Sequence, residues 1–561
     1  MLKSSSSLKS NPKFLSLILG LSMLFVGICG ISYEYTFSKL ASDILGDSVK
    51  QWAIIIGLMM FFMGVGADLQ KYFPDELNVD NFIILEVILG LLGGLGPTIT
   101  LFAFGALHSH FILVHYFFIC AIGLLIGLEI PLLTRVNQKT LPSLKHNLGM
   151  ILKMDYIGSF IGALVWIFVL PRFFNLLEIS FFLGIINVVV ALFTWYWFRD
   201  WMKYPVLVPI IAIGVIIILI VGIINGEKLA ITAEQKLYKD PIVFTKTTPY
   251  QRIILTESQT GNLYCYINGN LQFASLDEHI YHEFLVHPVL ATAHSRKNIL
   301  VLGGGDGLAV REILKYKDVQ SVTLVDIDPE MTDLARNYPR LRELNQNSLN
   351  TGKVKIVKPE GITKGEKVKL DQIGKGFFRR QHHFDEVELN IINLDAFQFV
   401  KSIQGIFDII VIDFPDPNSL TLSKLYSKEF YGLLKNKLAF EGLIIQQSSS
   451  PTFAREAFLI IGRTYQSAGF STVPIHHTVP SFGDWGWWVS GHEERFSATA
   501  LKHKLENISN LPTTVNYITK ELVQGSLFFG KGQLETDQTD INKILDDRVF
   551  RHYLKAWKQF Q

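Results

Sequence analysis

Long apolar runs and short alternating ones divide the chain into two kinds of material. Seven runs, roughly residues 14–31, 52–67, 82–107, 111–133, 151–170, 179–197 and 205–224, show no polar face and have lengths near those that cross a hydrocarbon core. Trp52, Trp195, Trp197 and Trp201 fall near their ends, as interfacial anchors do. Residues 1–13 are polar and basic, but further runs follow, so the first reads as an uncleaved span. Residues 226–240 are polar and read as a linker. From 242 to 273 the pattern turns to short alternation with a turn at Asn268-Gly269, which predicts hairpins. Beyond it, strand-length apolar runs alternate with helical patterns: 299–303 then a helix over 308–316, 321–325, 391–394, 407–412, a helix over 425–438, and 442–446. The expected fold is a multi-pass α-helical membrane domain (1–225), a linker and small β-domain (226–290), an α/β Rossmann-like domain (291–530) and a C-terminal helical tail (531–561).

Composition agrees with that division. The chain is 49% hydrophobic, with positive mean hydropathy and a net charge of only +2, which gives no general basic face for nucleic acid. Three scattered cysteines supply neither a disulfide framework nor a CxxC metal site. The histidine pairs His382-His383 and His476-His477 lack HExxH-type spacing, so no metal is expected.

The chemistry concentrates at strand ends. Ile299-Leu-Val-Leu-Gly-Gly-Gly-Asp-Gly307 is an apolar strand ending in a glycine cluster, where Gly303 and Gly305 let backbone approach a ligand closely. Asp306 sits inside that cradle. A phosphate site would avoid a carboxylate there, whereas a cationic ligand would want one. Asp326 ends the next strand about 20 residues on, where an acid often takes ribose hydroxyls. Two further strands deliver Asp395-Ala396 and Asp413-Phe-Pro-Asp416. The ligand is expected to be nucleoside-like and positively charged.

The succession Thr248-Pro-Tyr-Gln251, Leu271-Gln272, Asp277-Glu278, Tyr281-His282-Glu283, GGGDG and D-x-x-D-P resembles the spermidine synthase (polyamine aminopropyltransferase) family over about residues 240–530. That resemblance implies a methyltransferase-type Rossmann fold behind a small β-domain. It implies aminopropyl transfer from decarboxylated S-adenosylmethionine, a co-substrate and not a resident cofactor, to a diamine, chiefly putrescine. It gives Asp306 the donor's amine, Asp326 the ribose and Asp395 with Ala396 the adenine, and makes Asp413 the base. Asp416 and Tyr281 would hold the attacking amine, Gln251, Gln272 and His282 would complete the walls, and Trp485 in the Trp485-Gly-Trp-Trp488 segment would face the polyamine. Rival readings are an S-adenosylmethionine-dependent methyltransferase on the same fold, or a non-catalytic polyamine-sensing or transport protein. Homo-oligomers are compatible with the sequence, and the lipid bilayer is the other expected partner.

Departures from the family pattern are Leu308 after the glycine cluster, Phe414-Pro415 between the two acids, and a lysine-rich insert over about 351–383, read as a solvated surface. Residues 417–424 form a candidate lid. Acids lie within or beside the spans at Glu34, Asp68, Glu86, Glu129 and Asp155, with Glu86 and Glu129 deepest, where helix-locking is the plainer role and a polyamine path the sharper one. The excess of Lys and Arg at the ends joined to the N-terminus favours that end inside. Seven crossings would then leave the enzyme-like half outside. Its co-substrate is cytosolic chemistry, so that half is assigned to the cytoplasmic face of the cell (inner) membrane, against the charge bias.

Overall fold

The computed structural model describes residues 11–45, 48–107, 110–357, 368–369, 387–508 and 511–558. The chain divides into two units, Met1–Ile242 and Val243–Gln561.

The first unit contains seven long helices, α1 (Pro12–Leu45), α2 (Ser48–Leu69), α3 (Asn78–Leu107), α4 (Phe111–Asn137), α5 (Leu144–Phe168), α6 (Leu176–Phe198) and α7 (Leu207–Gln235). Seven candidate spans match them by length and composition. Helix α7 runs through Gln235, so the stretch read as linker begins as helix; its Ala, Leu, Glu and Lys residues are good helix formers. Between apolar helices, close approach of backbones supplies the packing. A Cβ on Gly158 of α5 would sit 2.1 Å from the Leu24 carbonyl of α1, and one on Gly127 of α4 would sit 2.1 Å from Met63 of α2. Glu86 and Glu129 are 0% and 1% exposed. Asn187 Nδ2 donates to Glu86 Oε2 at 2.9 Å, locking α6 to α3.

The second unit opens with a four-stranded meander, β1 (Ile242–Thr247), β2 (Arg252–Glu257), β3 (Leu263–Ile267) and β4 (Asn270–Ala274). The Asn268-Gly269 turn has φ of 51° and 80° at its two central residues, the left-handed pair that a two-residue hairpin needs. Helix α8 (Glu278–Thr292) follows, then β5 (Asn298–Gly303), helix α9 (Leu308–Ile313), β6 (Ser321–Asp326), β7 (Lys353–Val357), β8 (Glu388–Asn393), β9 (Phe407–Asp413), β10 (Leu438–Gln447), β11 (Phe470–Val479) and β12 (Gly483–His492). They form one eight-stranded sheet in the order β11-β12-β10-β9-β5-β6-β8-β7. The six strands from β10 to β7 are parallel, and β12 and β11 run antiparallel at one edge.

Both faces of the central strands are buried, which is why they read as continuous apolar runs. Ile299, Val301, Ile409 and Val411 enter the core on one face, and Leu300, Leu302, Ile410 and Ile412 the core on the other. The strand order reverses between β5 and β9, and there Asp413 pairs with Gly303. A crevice at the carboxyl ends of strands at such a reversal is where open α/β sheets bind ligands.

Two expectations need adjusting. The insert over 351–383 begins with strand β7, whose Lys353 and Lys355 suit an edge position. Apart from Val368–Lys369, its remainder lies outside the described residues. The helix expected over 425–438 is a short 3₁₀ turn, Lys424–Tyr426, and a helix, Lys428–Lys435, that ends before β10 begins at Leu438.

Candidate active site

The glycine cluster is built for backbone contact. Gly303 has φ of 80°, and a Cβ there would lie 2.2 Å from the Asp413 carbonyl, so only glycine lets the ends of the parallel strands β5 and β9 lie this close. At Gly305 a Cβ would lie 2.6 Å from Asp326 Oδ2. The Gly305 N–H instead donates to that oxygen at 3.0 Å, while Asp326 Oδ1 accepts from Asp328 N at 2.8 Å. Desolvation pushes Asp326 up to about 7 against those two hydrogen bonds. Gln251 sits one acid further on, beside Asp328, which also accepts from Thr248 Oγ1 at 2.9 Å.

Asp306 accepts the Leu308 N–H at 2.9 Å and opens α9. Leu308 itself is fully buried, so the departure from glycine fills core. Desolvation raises Asp306 to about 6, with His282 opposing and Asp413 adding to the rise.

Helix α8 carries the opposite wall. The Tyr281 hydroxyl donates to Asp413 Oδ1 at 2.6 Å, and His282 Nε2 lies 4.0 Å from Asp413 Oδ2. Desolvation holds the Asp413 carboxyl above the usual carboxylate range, with His282 and the Tyr281 hydrogen bond pulling the other way. On its far side His282 Nδ1 meets Glu278 Oε2 at 2.9 Å. Burial alone would lower this imidazole, but the Glu278 hydrogen bond and charge outweigh it and lift the ring to about 9. His282 is therefore a cation at neutral pH, flanked by Glu278, Asp306 and Asp413. Ligand atoms of His282, Asp306 and Asp413 lie within 4.8 Å of one another, close enough to share a metal ion; the proton that Glu278 holds on His282 works against that use.

Behind the site runs an ion network. Arg311 NH1 and NH2 grip Glu278 at 2.6 and 2.9 Å, and Arg311 Nε reaches Glu312 at 2.8 Å. Glu312 in turn holds His287 at 2.9 Å and Lys315 at 2.6 Å. The motif order marks Glu278 without naming its partner. The Glu-x-x-x-His spacing on one helix face was the available signal. The neighbouring motif acids position the frame. Asp277 accepts Ser481 N and Oγ at 2.6 and 3.0 Å, and Glu283 accepts the backbone N–H groups of residues 516, 517 and 518 at 2.6, 2.9 and 2.7 Å.

Asp416 lies past β9. Ser449 Oγ donates to its Oδ2 at 3.1 Å, while Oδ1 is shielded from solvent and has no hydrogen-bond donor. Desolvation raises this carboxyl to about 6, against the hydroxyls of Tyr553 and Ser449 and the Gln447 amide. Ser449 and Tyr553 were not foreseen; the polar run 446–450 at the end of an apolar strand was a signal for the first, and nothing local marks the second.

The aromatic wall is formed by Tyr281, whose ring lies 5.9 Å from Phe482 and 5.7 Å from Trp487, and by Trp485, 5.0 Å from Phe482 with an unpartnered Nε1. Asp395 caps the helix Ala396–Ser402 through Gln398 N at 3.0 Å and pairs with Lys424 at 2.7 Å, so both of its oxygens are engaged; Ala396 is buried beside it. The Gln272 amide donates to carbonyls of its own strand at 3.1 and 3.3 Å, and no hydrogen bond joins it to the carboxylates among the described residues. His476 and His477 bind Asp484 and Tyr517 at 2.7 and 2.8 Å and do not face a common ligand; His382 and His383 lie outside the described residues.

The fold is an α/β sheet with a small β-meander, and its switch point brings Asp306 and Asp413 together around His282. The sequence matches the spermine/spermidine synthase domain over residues 278–377 and 366–502. It is 34% identical over 542 residues to a polyamine aminopropyltransferase of Oceanobacillus iheyensis, covering 95% of this chain and 96% of that one. A polyamine aminopropyltransferase of Leptospira interrogans is 35% identical over 541 residues, covering 96% and 98%. A crystal structure of spermidine synthase in complex with the transition-state analogue AdoDATO aligns with 20% identity and a TM-score of 0.39, over 52% of this chain and 88% of that one. The chain belongs to the spermine/spermidine synthase family of polyamine aminopropyltransferases.

Proposed function

We propose that the second unit moves the aminopropyl group of decarboxylated S-adenosylmethionine to putrescine, giving spermidine and methylthioadenosine, on the cytoplasmic face of a cell membrane spanned by the first unit. One observation carries the reading: Asp306 and Asp413 gather at the switch point around His282, which Glu278 keeps charged, and Asp416 follows three residues past the end of β9. Such a site is net negative, and both reactants are cations. The acceptor's ammonium gives a proton to Asp413, whose pKa desolvation raises toward that of the amine, which makes it a better base than a solvated carboxylate. The freed nitrogen lone pair attacks the carbon bonded to the sulfonium, the C–S bond breaks, and sulfur leaves with the electron pair as neutral methylthioadenosine. Tyr281 and His282 hold the Asp413 carboxylate in place, and alignment supplies the rest of the acceleration. Asp306 favours a donor that lacks its own carboxylate, which weighs against the methyltransferase reading.

The membrane placement is supported by seven helices of 23 to 33 residues with mean hydropathies from 1.7 to 3.3. The cytosolic side follows from where an adenosyl sulfonium is made. Two measurements test the proposal. An acceptor panel with the purified full chain should give the highest kcat/KM with putrescine; preference for another amine overturns that assignment. Protease added to intact cells should leave the second unit whole, and cleavage within it would place the site on the wrong side of the bilayer.

A further inference from the structure

We propose that the segment from Lys543 to Lys558, a turn and the outward face of the helix Arg548–Trp557, is a docking surface for the anionic headgroups of a phospholipid bilayer. The inference rests on the reading of the first unit as membrane-spanning, and gives the second unit a lipid contact of its own. No sequence motif assigns it, because the segment lies beyond the matched domain, which ends at 502.

Buried partners fix which way the segment faces. Val549 and Phe550 enter the core, and Trp557 stacks on Phe453 with ring centroids 6.3 Å apart. Buried Asn542 donates through Nδ2 to the Ser423 carbonyl at 2.8 Å and through its backbone N–H to Thr464 Oγ1 at 3.0 Å, and its Oδ1 accepts Val549 N at 3.3 Å. Asp540 accepts from Arg463 NH2 and His552 Nε2, both at 2.9 Å. In the turn before the helix the Ile544 N–H donates to Glu429 Oε2 at 2.9 Å. With the backbone held at these points, Ile544 is left 41% exposed and Leu545 99%, the highest value among the described large apolar residues.

Helical spacing then gathers the charge. Arg548, Arg551, Lys555 and Lys558 follow one another at three- and four-residue steps along the exposed face, and Lys543 is exposed in the turn. Arg548 pairs with Asp546 at 2.6 Å and Arg551 with Asp547 at 2.8 Å, while Lys543, Lys555 and Lys558 have no acidic partner among the described residues. Arg551, Leu554, Lys555 and Lys558 line a hollow of about 400 Å³, room for a phosphate headgroup. The whole chain carries only +2, so these cations are a local concentration. A bilayer surface offers phosphate to the lysines and hydrocarbon to Ile544 and Leu545 together. The core of a protein interface would favour aromatic residues over lysine, and here Phe550 and Trp557 are packed against the unit itself. Single-stranded nucleic acid would want those rings outward for its bases. Each lysine near an anionic bilayer favours the docked state about fivefold, so the three act together at about a hundredfold.

The test uses the full chain in nanodiscs of phosphatidylcholine alone or with about 30% phosphatidylglycerol, read by amide hydrogen exchange over residues 543–558. Exchange there should slow about tenfold in the anionic discs at low salt, and the difference should vanish at high salt as screening shortens the field. Replacing the three unpaired lysines together, Lys543→Gln, Lys555→Gln and Lys558→Gln, should bring the difference to within about twofold, and Leu545→Ser should reduce it, with exchange in β5 and β9 unchanged as the sign that the fold is kept. Equal exchange in the two kinds of disc overturns the proposal, as does a difference that survives the triple substitution. Protection that ignores lipid charge but grows with protein concentration overturns it in favour of a second copy. A chain that does not enter nanodiscs brings down the membrane reading, and this inference with it; an inserted chain whose last helix ignores lipid charge brings down the inference alone.

Discussion

Asp413→Asn separates proton removal from every other contribution of the site. The amide keeps the carbonyl oxygen that accepts the Tyr281 hydroxyl at 2.6 Å, and its new N–H groups face His282 Nε2 across 4.0 Å, a gap wide enough to avoid a clash of donors. Folding and donor binding should therefore survive, while the base is gone. An alkylammonium resembles lysine, with a pKa near ~10.4, so about one amine in 2,500 is free base at pH 7. That fraction sits inside the ~10²–10⁴-fold typical of a lost general base, and sets the expected fall in kcat at about 10³. The same arithmetic gives a sharper signature. Near pH 10 roughly a third of the amine is already free, so the ratio of wild-type to variant kcat should shrink from about a thousandfold to a few-fold. Saturating initial rates at pH 7, 8, 9 and 10 on both proteins read this ratio. A variant within tenfold of wild type at pH 7, or a deficit that stays constant with pH, would refute proton removal by Asp413.

Other perturbations probe the supporting frame. Glu278→Gln should destabilise the fold, because Arg311 loses one of its two buried carboxylate partners, Glu312 being the other, and breaking a buried pair costs about 3–5 kcal/mol at most. The His282 pKa is raised from 6.5 to about 9, so the stability it contributes is full below 6.5 and lost as pH rises through about 9; thermal unfolding of the variant should lack that pH dependence. Gly305→Ala puts a methyl 2.6 Å from Asp326 Oδ2 and should raise donor KM about tenfold or more with acceptor KM little changed, the scale of a pair of displaced hydrogen bonds. Asp306→Ala should weaken the decarboxylated donor and narrow its advantage over intact S-adenosylmethionine, as calorimetric titration of both ligands would show; an unchanged ratio means that Asp306 faces elsewhere.

The central sheet was legible because β5 and β9 are buried on both faces, and burial writes itself as unbroken Ile, Leu and Val. Strand β7 was not, since Lys353-Val-Lys-Ile-Val357 alternates charge with apolar residues at an edge where lysines stay wet. Among candidate residues, Asp306, Asp413, Tyr281 and His282 converge as the motif order suggested. Gln272 turns back on its own strand, and Asp395 is engaged by Lys424. What the sequence hid was pairing. Glu278 gains its meaning from Arg311 on the next helix, and Asp416 from Ser449 and Tyr553, partners that only the folded chain brings together.

Product identity tests the central claim most directly. The purified full chain would be incubated with decarboxylated S-adenosylmethionine and putrescine, and in parallel with intact S-adenosylmethionine and putrescine, with products identified by mass spectrometry. Aminopropyl transfer predicts spermidine and methylthioadenosine in equal amounts from the first mixture and little from the second. A methylated amine with adenosylhomocysteine from the second mixture, or no product from either, would contradict it.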